Sequence, residues 1–80
     1  MRNIDFQLER DHVELNQLLK LCGIVDSGGA GKALVSSGAV RVDGEVELRR
    51  TCKIHAGQVV EVGDVRVAVA GDGRLNPGSG

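Results

Sequence analysis

A change of hydrophobic period at Gly38 constrains this 80-residue chain more than any other feature. Before it, Leu15, Leu18, Leu19 and Cys22 recur three and four residues apart, the apolar stripe of a helix that buries one face. After it, Val40, Val42, Val46 and Leu48 alternate with other residues, and Val59 to Val62 and Val65 to Val69 read as further strands. The order predicts an α+β domain: two packed helices followed by a small, mostly antiparallel sheet.

The boundaries follow from local chemistry. Asp11 can accept from the unpaired amides of a first helical turn, with Glu14 three residues on as a variant capping box, and Gly23 ends that helix. Ser27 is a good cap for a second helix through Ala30, Lys32, Ala33, Leu34 and Val35, terminated by Gly38. Gly28, Gly29 and Gly31 weaken it by roughly 1 kcal/mol each relative to Ala. They permit either close packing on the neighbouring helix or close approach of a phosphate; without a longer phosphate-loop pattern, packing is the stronger reading.

Asp43-Gly44 between alternating runs signals a hairpin. A two-residue turn would place Val42 opposite Glu45 and mix valine with glutamate on each face, so a three-residue loop that sets Val40 against Val46 and Arg41 beside Glu45 is expected. Thr51 to Ile54 reads as extended, Ala56-Gly57-Gln58 as a turn and Gly63-Asp64 as a second hairpin turn. Residues 1–10 form an arm or an edge strand, since Ile4, Phe6 and Leu8 alternate; residues 11–70 form the domain; residues 71–80, rich in Gly, Asp, Asn, Pro and Ser, form a flexible tail. The expected core is Leu15, Leu18, Leu19, Cys22, Leu34, Val40, Val46, Ile54, Val59 and Val67.

Size and composition exclude several functions. A chain this short buries only about 60% of the surface it exposes when unfolded, which argues against a deep enzyme cleft. No apolar run approaches a membrane span and the start lacks a signal-peptide stretch, so a cytoplasmic location with reduced Cys22 and Cys52 is expected. His12, His55, Cys22 and Cys52 lack the close spacing of a structural zinc site, and no nucleophile–base grouping is evident; no metal, cofactor or catalytic residue is predicted. One Phe, with no Trp or Tyr, rules out base stacking as the main mode of nucleic-acid binding. The formal net charge is −1, but the charges are segregated: Asp5, Glu9, Asp11 and Glu14 crowd one end, while Arg41, Arg49, Arg50 and Lys53 fall close together with His55.

Ser27-Gly28, Lys32, the run from Gly38 to Gly44 and the run from Cys52 to Val59 together resemble the RNA-binding domain named after ribosomal small-subunit protein four, especially its short stand-alone YbcJ-like bacterial members. The resemblance spans residues 13–69. It implies the alpha-L motif, in which a helix pair and an adjoining loop form an RNA surface, and a binding module without the catalytic domains found in other family members; a monomer is expected. It also implies a set of RNA-binding residues: Lys32 on the second helix, Arg41 on the hairpin, and Arg49, Arg50 and Lys53 after it; Ser27 and the first amides of its helix could bond one further phosphate, helped by the helix dipole. Gly28 stands where many members carry arginine, and Gly31 where alanine is usual.

Cations at these places would neutralise phosphates and release counterions, and arginine adds a planar fork for two phosphate oxygens. Without aromatic platforms, the expected ligand is structured RNA, ribosomal or transfer RNA, read through backbone and sugar. The bland alternative is solvated surface charge, with Arg41 paired to Glu45 and Arg49 to Glu47. A protein-interaction adaptor that keeps the fold without RNA binding is the competing function, favoured by the near-zero net charge and Gly28.

Overall fold

Ile4, Phe6 and Leu8 turn toward one side of strand β1 (Arg2–Leu8), and Leu8 reaches the core. In the computed structural model, which describes residues 2–71, this strand lies parallel to β7 (Val65–Gly71) at a sheet edge, with Ile4 beside Val67 and Phe6 beside Val69. The arm is therefore a full edge strand, and it precedes the helices. Gln7 Nε2 donates to Gly71 O at 2.7 Å and closes its far end.

The remaining elements are β2 (Val13–Glu14), α1 (Leu15–Leu21), α2 (Gly28–Ser36), β3 (Val40–Val42), β4 (Glu45–Val46), β5 (Lys53–Ile54) and β6 (Val59–Val62). The larger sheet runs β1-β7-β6-β3-β4, antiparallel except for β1 with β7, while β2 and β5 form a separate antiparallel ribbon. It is thus a mixed sheet, mostly antiparallel. Leu15, Leu18 and Leu19 of α1 pack onto Val40, Val60 and Val67 of its inner face, all fully buried. Burying each such side chain contributes about 1.5–3 kcal/mol, enough to hold a helix of seven residues that would not form alone.

α2 is capped as its sequence requires: Ser27 Oγ accepts from Ala30 N at 3.1 Å. Its buried face consists of Gly31 and Val35. A Cβ at Gly31 would stand 2.8 Å from Asn16 O, so the glycine sets how closely α2 approaches α1. Packing, not phosphate approach, explains this position.

Several expectations are corrected. α1 begins at Leu15, not after Asp11; Val13 and Glu14 are extended and paired with Ile54 and Lys53, and Glu14 makes no side-chain cap. The β3–β4 hairpin has the two-residue turn, with Val42 opposite Glu45 and Arg41 opposite Val46. Asp43 at φ 53° and Gly44 at φ 88° both take the left-handed conformation of that turn, and Asp43 is held there by Val59 N and Gln58 Nε2 on its carboxylate. Face matching does not constrain the pairing because β4 is a two-residue edge strand, and Val46 remains 52% exposed rather than in the core. In β6 the buried residue is Val60, opposite Val67; Val59 is half-buried on the other face, opposite Ala68. Val35 replaces Leu34 as the deepest residue of α2, and Leu34 and Cys22 pack at the core margin. Residues 72–80 of the expected tail lie outside the described residues, whereas Gly71 belongs to β7.

Candidate nucleic-acid interface

The first amides of a helix have no intrahelical partners and must be satisfied elsewhere. In α1 they are met by the loop between β4 and β5: Leu15 N donates to Cys52 O at 2.8 Å and Asn16 N to Arg50 O at 3.1 Å. This non-local cap anchors residues 50–52 against the start of α1. At the other end of the loop, Glu47 accepts from the backbone N–H of Arg49 at 3.0 Å, from its Nε at 2.9 Å and from its Nη2 at 3.3 Å. These bonds and the adjacent guanidinium hold the Glu47 carboxyl at about 2, far below its ordinary value, and raise Arg49 in turn. The loop carries its cations on a braced backbone.

The result is a groove of about 700 Å³ walled by Lys32 of α2, by Leu48, Arg49, Arg50 and Thr51 of the loop, and by Cys52 and Lys53 leading into β5. Lys32, Arg49, Arg50 and Lys53 are all exposed, and the close helix contact at Gly31 brings the neighbouring Lys32 toward the loop. Glu47 partly neutralises Arg49, so the pairing expected of a solvated surface is present there; in Lys32, Arg50 and Lys53 no ion pair within 4.0 Å occurs among the described residues.

Two of the six expected residues stand apart. Ser27 caps α2 and does not line the groove, although its hydroxyl hydrogen remains available. Arg41 lies on the sheet face turned away from the helices, between Val46 and Glu61, and so neither joins the groove nor stands opposite Glu45. Sequence reasoning missed the apolar wall: Leu48 is 59% exposed inside the cationic groove. The pair of Glu47 with Arg49 was expected as solvated surface charge, and what the sequence did not show is its bond to the Arg49 backbone N–H, which makes it a brace.

Cys22 and Cys52 are free and partly buried, and burial raises both thiols above their ordinary value, which disfavours the reactive thiolate. His12 and His55, distant in sequence, come within 5.9 Å between ring centroids beside Asp11, whose backbone oxygen lies 3.1 Å from His55 Nδ1. Among the described residues no group of three His, Cys, Asp or Glu is arranged to hold a metal ion. No helix is long and apolar enough to cross a membrane.

Comparison with known proteins agrees with this architecture. The S4 domain family matches residues 6–70, and the chain belongs to that family. YbcJ of Escherichia coli (strain K12), named provisionally as an RNA-binding protein, is 55% identical over 49 residues, which cover 61% of this chain and 70% of that one. RlbA of Bacillus subtilis (strain 168), named provisionally as a ribosome maturation protein, is 36% identical over 55 residues, covering 69% and 78% respectively. The solution structure of YbcJ from E. coli, described as revealing an alpha-L motif involved in RNA binding, matches this fold with a TM-score of 0.65 and 46% identity, over 82% of this chain and 85% of that one.

Proposed function

We propose that the chain is a small RNA-binding module that takes structured RNA, ribosomal or transfer RNA, into the groove between α2 and the β4–β5 loop. The supporting observation is the gathering of Lys32, Arg49, Arg50 and Lys53 from separate elements onto one groove in a chain of net charge −1. Scattered surface charge has no reason to converge in this way. Lys32, Arg50 and Lys53 act as phosphate contacts, and Arg49, braced by Glu47, presents the free part of its fork. Ser27 adds a hydroxyl donor at the start of α2, and Arg41 serves at most a distant segment of a large RNA. Leu48 gives a ribose or base edge an apolar surface without aromatic stacking.

The name of YbcJ supports RNA as the ligand, and the name of RlbA, a ribosome maturation protein, favours an RNA of the ribosome within our proposal. We place the module in the cytoplasm and read it as a binder without catalysis: among the described residues the cationic groove holds no nucleophile–base pair, and burial disfavours the thiolates of Cys22 and Cys52.

The test is the affinity for a hairpin-containing ribosomal RNA fragment across a range of salt concentrations. Affinity should fall steeply with salt, and Arg50→Ala with Lys53→Ala should weaken binding by about tenfold or more while reducing the salt slope by about 2. Arg49→Ala with Arg50→Ala should behave similarly. Equal affinity and slope in these variants and the parent protein would refute the assignment.

A further inference from the structure

A second groove, of about 710 Å³, lies between the end of β1, the β1–β2 connection and α1. It shares no residue with the cationic groove. Phe6, Leu8 and Val13 give it an apolar floor, and Leu21, the last residue of α1, stands 62% exposed at its wall. Single exposed leucines are ordinary on protein surfaces, but this one extends an apolar strip that continues into the core. The lining also carries Glu9, Asp11 and Glu14 with Arg10 and His12, a formal charge of −2 with the imidazole neutral, and His12 Nδ1 lies 3.3 Å from the Asp11 carboxylate. Among the described residues neither Glu9 nor Glu14 has a cation within 4.0 Å.

From this combination we infer that the groove docks a short basic segment of a partner protein, one large apolar side chain flanked by lysine or arginine. Each part of the site selects for one feature of that occupant. The apolar floor and Leu21 take the large side chain out of water, which a small cation or a purely charged chain cannot exploit. The unpaired carboxylates attract the flanking cations and repel nucleic acid and anionic lipid surfaces alike. The volume lies within the range of ordinary peptide and ligand clefts, so it admits a segment rather than a folded domain face.

The two grooves adjoin at the β2–β5 ribbon, where Glu14 of one stands in register with Lys53 of the other. The carboxylates on one side repel a polyanion held on the other, and the two linings have no residue in common. On the function proposed above, a protein bound beside this chain on the same RNA meets the phosphates through basic segments, whatever its net charge. Such a segment is thus the partner that an RNA-bound copy of this chain would meet on its acidic side.

The experiment is selection from a displayed peptide library in which Lys, Arg and large apolar residues vary in spacing, followed by affinity measurement of the enriched peptides. Enriched peptides should combine basic residues with a large apolar one. Leu21→Ser should weaken them by about fivefold or more, and Glu9→Lys with Glu14→Lys by about tenfold or more. Both variants alter exposed positions, their melting curves verify folding, and neither should weaken hairpin RNA. The inference is overturned by failure to enrich any peptide, by enrichment of basic residues without an apolar one, by unchanged affinity in both variants, or by loss of peptide binding in Lys32→Ala with Lys53→Ala. Loss of RNA binding in those lysine variants concerns the other groove and leaves this one standing.

Discussion

The cationic groove and the acidic groove differ in how they are built. The first consists of charges on an irregular loop and on one exposed turn of α2, kept in place by backbone bonds to α1 and by Glu47. The second is cut into regular structure, with β1, β2 and α1 supplying an apolar floor rooted in the core. The net charge of −1 averages these two opposed surfaces with the rest of the molecule, so it predicts the binding of neither. The loop-built site can be perturbed without unfolding the domain, whereas the floor of the other cannot. α1 is what they have in common, because its amides hold the loop and Gln17 and Leu21 line the acidic side.

The largest effect should come from removing that shared support. Leu18 is fully buried, so Leu18→Ala should destabilise the domain by about 2–5 kcal/mol. In a protein of this size that is a large part of total stability. Urea denaturation would show a lower midpoint, and both grooves should lose their ligands in parallel. A variant that lost RNA binding alone, at full stability, would show that the grooves do not share α1 in the way described.

Gly31 separates the grooves more selectively. A Cβ there meets Asn16 O at 2.8 Å, and overpacking of this kind costs about 1–3 kcal/mol, partly offset by about 1 kcal/mol from the better helix propensity of alanine. Gly31→Ala should therefore destabilise by about 1 kcal/mol. It should also move Lys32 away from the loop and weaken RNA more than peptide, since no residue of α2 lines the acidic groove. Gly29 is the control: its nearest neighbour is Ser27 Oγ at 4.0 Å, and Gly29→Ala should leave stability equal or higher. Equal melting behaviour of the two alanine variants would remove Gly31 from the account of how the cationic groove is held.

These contrasts also explain what could be read from the sequence. The leucines of α1, the Ser27 cap and the Gly63-Asp64 hairpin turn were legible because each depends on residues close in the chain. The start of α1 was not, because its cap is supplied by Arg50 O and Cys52 O, more than thirty residues away. Asp11 and Glu14 satisfy a local capping pattern that the fold does not use, since Glu14 is occupied in the β2–β5 ribbon. The β3–β4 register was misread for a related reason: alternation carries information only where one face is buried, and β4 is exposed on both. Arg41 illustrates the limit of family resemblance. A residue can match the motif and still, in this fold, point from the sheet face opposite the groove. The acidic groove was visible only as a crowding of carboxylates near one end; its apolar floor needed β1 folded against α1.

The smallest effect concerns the brace within the cationic loop. Glu47 is held at about 2, below its ordinary 4.5, first by the Arg49 side chain and then by the Arg49 N–H. A carboxyl lowered by folding stabilises the folded state above its ordinary value, and that contribution is lost as pH falls from about 4.5 toward about 2. Arg49 is 79% exposed, so solvent screening keeps the contribution of the pair small. The stability difference between the parent protein and Glu47→Gln should accordingly be small and constant at neutral pH, and vanish toward pH 2. Following the Glu47 carboxyl resonance through the same titration gives an independent reading. Because Glu47 does not line the acidic groove, peptide affinity at neutral pH should be the same in both proteins, while loosening of Arg49 shows in RNA affinity alone. If the resonance titrated near 4.5, Arg49 would be an unbraced surface cation, and the loop would be held only by its backbone bonds to α1.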